Sequence, residues 1–410
     1  MSDAARAFDL LAELGPAPTG GIYLDNNATT RVAPEVIDAM LPYLVEYYGN
    51  PSSMHRFGAE AGRGLARARE QVAALIGAGD ASEIIFTAGG SESDNLAIVG
   101  TLRAYPQKKH VVTSAVEHPA VLGLCRDLQK RQGYEVDFIG VDGQGRLDLD
   151  ELRRKVRSDT AVVSIMVANN ETGVIFDTAA IGEIVKAAGA VFHVDAVQAV
   201  GKLAIDLRQL ACVDMLSLSG HKLHAPKGVG ALYVRRGTRL RPLIVGGHQE
   251  RGRRAGTENV ASCVALGAAC ELAAAHREEE STRVRELRDR LETGILAVVP
   301  DCRRNGDADA RLPNTTNISF DYIEGEGILL LLDRAGIAAS SGSACTSGSL
   351  EPSHVLKAMG VPFIAAHGSI RFSLSRYNNA EEIDYVVKVV PRVAVRLRQI
   401  TPFNREQATF

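Results

Sequence analysis

AVFHVDAVQAVGKLAIDLRQLACVDMLSLSGHK, residues 190–222, contains two short apolar runs, AVFHVDA (190–196) and DMLSLSG (214–220). Each is the right length for a buried strand, and each delivers a chemically active residue at its end: Asp195 after the first, Lys222 just past the second. A carboxylate closing a buried apolar strand is costly unless something positive meets it. Outward from this stretch the same pattern repeats. EIIFT (83–87), HVVTSAVEH (110–118), EVDFIGVD (135–142), AVVSIMVAN (161–169) and GALYVRR (230–236) read as further strands, with helix-like stretches such as Pro119–Gln132 and Thr178–Ala188 between them. Strands separated by helices require crossover connections, hence an α/β fold with a mostly parallel sheet covered on both faces. The loop between the last two runs is too short for a crossover helix, so those two are expected to pair antiparallel.

A nearly Gly- and Pro-free helical stretch follows Gly256 and continues to about Val299. Its charged half, HREEESTRVRELRDRLE, reads as a solvated face with local ion pairs. Beyond it, TTNISFD (315–321), GIAASSG (336–342) and SIRFSLS (369–375) alternate with helices and predict a second, smaller α+β unit. The expected division is an N-terminal extension over 1–20, a large domain over 21–275 whose first residues pack on the small one, and a small domain over 276–410.

The 410 residues are 46% hydrophobic and 23% charged, enough apolar material for a globular core. A net charge of −3 gives no electrostatic reason for nucleic acid or an anionic membrane as the main partner. The arginines of HQERGRRAGTEN lack the interleaved aromatics of a nucleic-acid surface and read as interface or active-site lining. The six cysteines, at 125, 212, 263, 270, 302 and 345, form no CxxC pair and suggest a reducing, cytoplasmic compartment. MSDAARAFDLLAELGPAPTG lacks the basic start and apolar block of a signal peptide, and no run is long enough for a membrane span.

In open α/β sheets ligands collect at the loops after the strand C-termini. Those loops carry AGGSESDN, His118-Pro119, Asn169-Asn170-Glu171, Asp195 to Gln198, and Ser219-Gly220-His221-Lys222. The Gly-Gly-Ser turn opening a helix suits a phosphate, although it is neither a Walker loop nor GxGxxG. A Schiff-base lysine, an acid for a pyridine nitrogen, an anion cradle and a stacking group are what pyridoxal phosphate requires. Metal binding by His193, His221 and His224 with Asp195 is the rival, but the spacings fit no standard zinc pattern.

The stretches YLDNNATTRV (23–32), GNPSSMHRFG (49–58), ESDN (92–95), EHPAVL (117–122), ANNETG (168–173), HVDAVQAVGK (193–202), SGHKLHAPKG (219–228), RGRRAGTEN (251–259), SSGSACTSGSLEPSH (340–354) and SIRFSLSR (369–376) resemble the NifS/IscS-type, group I pyridoxal-phosphate cysteine desulfurases. LDNNATT and QERGRRAGTEN are most similar to the nitrogenase-associated branch. The resemblance implies a fold-type I, aspartate-aminotransferase-like fold with a seven-stranded large-domain sheet. It also implies a homodimer that takes L-cysteine and passes sulfur to an iron–sulfur scaffold or other acceptor protein.

Position by position, the resemblance makes Lys222 the Schiff-base lysine, Asp195 the partner of the pyridine nitrogen, and Gln198 that of the ring oxygen. His118 would stack on the ring and assist proton transfers. Asn170 would lie near cofactor and substrate, and Arg371 would clamp the substrate carboxylate. Gly90, Ser91, Ser219 and His221 would hold the phosphate, with Thr257 reaching in from the other subunit. AGGSESDN departs from the family in lacking the Ala-Thr pair that often precedes ESDN, which leaves Gly90 only its backbone.

Cys345, a thiol set among small residues in the loop 340–352, would be the mobile nucleophile that carries sulfur as a persulfide. No metal is required, though Cys345 could ligate a transient iron–sulfur cluster. The alternatives are a general iron–sulfur desulfurase, a pyridoxal-phosphate lyase or aminotransferase with an incidental cysteine loop, and a sulfur-carrying partner with a vestigial site.

Overall fold

The computed structural model describes residues 19–341 and 352–401; the stretches 1–18, 342–351 (with Cys345) and 402–410 lie outside them. From the N-terminus, the chain forms β1 (Ile22–Tyr23), α1 (Arg56–Leu75), β2 (Ile84–Thr87), α2 (Gly90–Ala104) and β3 (His110–Ser114). It continues through α3 (Pro119–Arg131), β4 (Glu135–Ile139), β5 (Thr160–Met166), α4 (Thr178–Ala187), β6 (Val191–Asp195), β7 (Met215–Ser219) and β8 (Gly230–Val234). α5 (Val260–Glu279) and α6 (Arg285–Val298) lead to β9 (Cys302–Asn305), β10 (Thr315–Phe320), β11 (Ile337–Ala338), β12 (Ser369–Ser373) and α7 (Ala380–Ile400).

Seven strands form one sheet in the order β2-β8-β7-β6-β5-β3-β4. The five from β7 to β4 are parallel, and β8 runs antiparallel to both its neighbours, as the short loop before it demands. β5, β6 and β7 are buried along their whole length, because helices cover both faces, which is why they read as apolar runs rather than alternating ones. Pairing of Asp195 with Ser217 sets the ends of β6 and β7 side by side. Asp195 and the turn carrying Lys222 therefore emerge at one edge. A Cβ at Gly90 would meet Val197 Cγ2 at 2.9 Å, so glycine is what lets the start of α2 sit against the segment after β6.

A separate apolar core lies under the three-stranded sheet β12-β10-β9 and is closed by α6 and α7. Ile22 and Leu24 belong to that core, and β1 pairs in parallel with β11. The chain then crosses to the large sheet, where Thr30 N–H donates to the His221 carbonyl at 2.9 Å.

Three expectations need correction. HVVTSAVEH is a strand only to Ser114; the rest turns inward and buries Glu117. Of GIAASSG, the described residues 336–341 hold the two-residue β11 and a single bridge from Ser340 to Arg371. The charged half of the long helix is not simply solvated. A π-helical turn at Glu280–Val284 separates α5 from α6, and Arg288 and Glu292 are buried. Glu292 takes Arg311 and the Thr316 hydroxyl, while Arg288 Nη1 donates to the carbonyls of Leu312 and Thr315 at 3.0 and 3.2 Å. These partners come from the segment 311–316, which helical periodicity does not reveal.

Candidate active site

Lys222 closes a single 3₁₀ turn after β7, and its Nζ donates to the carbonyls of Asn27 and Ala28 at 2.5 and 2.7 Å. Those acceptors are held in place. Asn27 N–H donates to Ser373 Oγ at 2.9 Å, and its Nδ2 reaches the Asn170 carbonyl at 3.1 Å and Thr315 Oγ1 at 2.9 Å. The loop after β1 thus ties the lysine beyond β7 to the sheet β12-β10-β9.

Asp195 ends β6 with one oxygen on Val197 N–H at 2.9 Å. Burial pushes its carboxyl up to about 6, opposed by that N–H and by the Lys222 charge. His118 caps α3, accepting Ala120 N–H at its Nδ1 at 3.1 Å. Burial, and then the charge of Lys222, drives it down to about 4. It is therefore neutral near pH 7, and because Nδ1 accepts, the ring proton sits on Nε2. His221 is likewise lowered to about 4, by burial and then by Lys222.

Arg371 comes from β12. Its Nη1 donates to the Asn170 carbonyl at 3.0 Å and its Nη2 to Asp25 Oδ1 at 2.8 Å, whereas Nε is buried without a partner. One edge of the guanidinium fork thus remains for a carboxylate. Gln198 turns its amide nitrogen to the Asn27 carbonyl at 3.0 Å, leaving Oε1 unpartnered. The second amide hydrogen stays available for a ring oxygen.

These groups surround one cavity of about 380 Å³, to which Gly90, Ser91, His118, Asn170, Asp195, Gln198, Ser219, His221, Lys222 and Arg371 all contribute. Thr257 is exposed on the loop before α5 and does not line it; Cys345 lies outside the described residues. The donor set fits pyridoxal phosphate: the start of the fifteen-residue α2 with Ser91 and Ser219 at an anion, Asp195 at a ring nitrogen, Lys222 at an aldehyde carbon. Among the described residues no three His, Cys, Asp or Glu side chains are arranged to hold a metal ion. His193 instead exchanges hydrogen bonds with Ser164 and Ser217. No described helix is long and apolar enough to cross a membrane.

Sequence reasoning gave no role to Asp25, Asn27, Asp94, Glu117 and Glu171, although each lies in a quoted motif. Asp25, Asn27 and Asp94 line the cavity, and Glu117 and Glu171 are buried near it. For the four acids the available signal was a carboxyl where burial was already implied, after a strand or inside a helix packed on the sheet; nothing marked Asn27.

The class-V aminotransferase family model matches residues 22–386. A cysteine desulfurase of Trichormus azollae is 60% identical over 387 residues, covering 94% of this chain and 96% of that protein. The chain belongs to the cysteine desulfurases of the class-V aminotransferase family. The cysteine desulfurase NifS of Azotobacter vinelandii is 59% identical over 382 residues, 93% of this chain and 94% of that one. A solved NifS-like protein superposes with a TM-score of 0.85 at 39% identity, covering 92% of this chain and 99% of its own. Membership makes this an enzyme of fold-type I whose cofactor is pyridoxal phosphate.

Proposed function

We propose that this desulfurase converts L-cysteine to L-alanine and delivers the sulfur to Cys345 as a persulfide. The observation that carries the reading is the meeting of Lys222, Asp195, His118 and Arg371 around one cavity, each on a different element. A solved relative at 35% identity and a TM-score of 0.77 is described as in complex with cysteine, which supports the substrate.

Bound pyridoxal phosphate supplies an electron sink that weakens the bonds at the substrate Cα and Cβ. Arg371 then orients the substrate through its carboxylate, with Asp25 and the Asn170 carbonyl fixing the guanidinium. Lys222 Nζ moves the proton at Cα, and the Nε2–H of His118 serves a proton transfer near the sulfur. Asp195 keeps the pyridine nitrogen protonated, and Gln198 binds the ring oxygen. Gly90, Ser91, Ser219 and His221 hold the phosphate. The Cys345 thiolate attacks the substrate sulfur, forming an S–S bond as the C–S bond breaks, and the bonding pair stays with the carbon skeleton that becomes alanine.

We assign the working unit as a homodimer in which Thr257 completes the partner's phosphate site. We also keep the division into a large domain, 21–275, and a small one, 276–410. The two apolar cores support it in outline, although Ile22 and Leu24 pack in the smaller core and Leu312, Val355, Leu356, Met359 and Ala366 in the larger. The acceptor is a cytoplasmic iron–sulfur scaffold or other sulfur-accepting protein. The kinship with NifS favours nitrogenase cluster supply over general iron–sulfur assembly.

The test is mass spectrometry of the Cys345 peptide after L-cysteine is added without reductant. A gain of one sulfur atom on that peptide, matched by alanine, is expected. Alanine with an unmodified peptide, or pyruvate in place of alanine, would move the enzyme to the lyases.

A further inference from the structure

Asp94, the fifth residue of α2, is buried on the cavity wall that also carries Asp195. Its Oδ1 has no hydrogen-bond partner. Among the described residues the one basic nitrogen within ion-pair reach is His193 Nε2, at 3.7 Å. That imidazole is neutral, because burial lowers it to about 3. Its two nitrogens are engaged by Ser164 Oγ at 2.8 Å and Ser217 Oγ at 2.9 Å. The two hydroxyls and the ring form one neutral network beside Asp94. No cation enters it.

Two carboxyl groups buried against the same cavity cannot both ionise without heavy cost. The surroundings are unequal. Asp195 has a backbone N–H and faces the Lys222 charge; Asp94 has that neutral network beside it. Glu117, the third acid facing the pair, has its Oε1 on the Ser114 hydroxyl and Met166 N–H and its Oε2 unpartnered, so it brings no positive charge either. The anion therefore belongs to Asp195 and the proton to Asp94.

We propose that Asp94 is a positioning residue for Asp195, a carboxylic acid whose hydrogen lies on the cavity-wall oxygen and holds Asp195 as the single anion available to the pyridine nitrogen. The inference rests on the reading of Asp195 given above. It assigns Asp94 a neutral hydrogen-bond donor's work, which asparagine can do and alanine cannot. Burial pushes the Asp94 carboxyl well above the ordinary carboxylate range, reinforced by the charge of Asp195, in keeping with this.

The test compares wild type, Asp94→Asn and Asp94→Ala by infrared difference spectroscopy near neutral pH and by pyridoxal-phosphate binding to the apoenzyme. Wild type should show a buried carboxylic-acid C=O band that is lost in both variants, while the band of protonated Glu117 persists in all three proteins. Cofactor affinity of Asp94→Asn should follow wild type, whereas Asp94→Ala should bind about tenfold more weakly, the fold-change of one lost charge-assisted hydrogen bond. If no acid band is lost in Asp94→Asn, or if it binds cofactor as poorly as Asp94→Ala, Asp94 is a carboxylate and the proposal falls. The infrared comparison needs no cofactor, so it decides the protonation of Asp94 separately. A wild type that takes up no pyridoxal phosphate would overturn both this proposal and the functional reading.

Discussion

The Ser353 hydroxyl donates to Glu171 Oε2 at 2.5 Å and also accepts the N–H groups of Val355 and Leu356, at 3.1 and 3.3 Å. One side chain thus caps the short helix His354–Ala358 and fastens it to the loop that presents Asn170. His354 adds a second tie, its Nε2 lying 2.9 Å from the Glu117 carbonyl. The chain just past residue 351 is thereby pinned to the loops after β3 and β5 that line the cavity. Ser353→Ala removes the cap and strips a buried acid of its donor. A loss of about 1–3 kcal/mol is expected, read from urea unfolding of the apoenzyme. A change within a few tenths of a kcal/mol would mean that the cap geometry carries no energy.

Glu117 gives a pH signature. Burial pushes its carboxyl up to about 8, against hydrogen bonds from Ser114 and Met166 that favour the charged form. An acid raised in the folded state binds more protons folded than unfolded, so its contribution to stability falls as pH rises from 4.5 to about 8. Glu117→Gln keeps an acceptor for both donors and removes the charge. The variant should gain on the order of 1–3 kcal/mol over wild type at the alkaline end of that window and show little difference at its acid end. A gain that does not vary with pH would contradict the assignment.

His118 couples fold to chemistry, since the ring that faces the cavity also caps α3. Asparagine caps a helix well but has no ring. His118→Asn should unfold close to wild type, while alanine formation drops by roughly two orders of magnitude. His118→Ala should lose the same activity and about 1 kcal/mol of stability as well. Because the folded pKa is lowered to about 4, the stability from its neutral form is lost as pH falls below 6.5. If His118→Asn retains full turnover, the ring does no chemistry.

Arg371→Lys tests the carboxylate clamp. A lysine cannot hold Asp25, the Asn170 carbonyl and a substrate carboxylate in one plane. KM for L-cysteine should rise about tenfold or more, with a smaller change in kcat. A variant with unchanged KM and lowered kcat would assign Arg371 to the chemical step instead.

How much of this was legible in the sequence depends on the range of the interaction. Apolar runs such as AVVSIMVAN announced the sheet because burial on both faces leaves a continuous signal, and Asp195 and Lys222 stood out because they interrupt it. The antiparallel placement of β8 followed from loop length. What stayed hidden was long-range pairing. The crossing of residues 22–30 between the two cores, the acceptance of Lys222 by Asn27 and Ala28, and the burial of Glu292 against Arg311 each join residues far apart in the chain. Asp94 was hidden differently, because an acid near the start of a helix ordinarily reads as a dipole partner in water.

The central claim is that Cys345 receives the sulfur. It is tested most directly by incubating purified wild type and Cys345→Ala with L-cysteine, recording the visible absorbance of the cofactor and quantifying alanine and sulfide. The account predicts a yellow wild type forming alanine and sulfide together, and an equally yellow variant forming neither. A Cys345→Ala enzyme that desulfurates L-cysteine at the wild-type rate would contradict it.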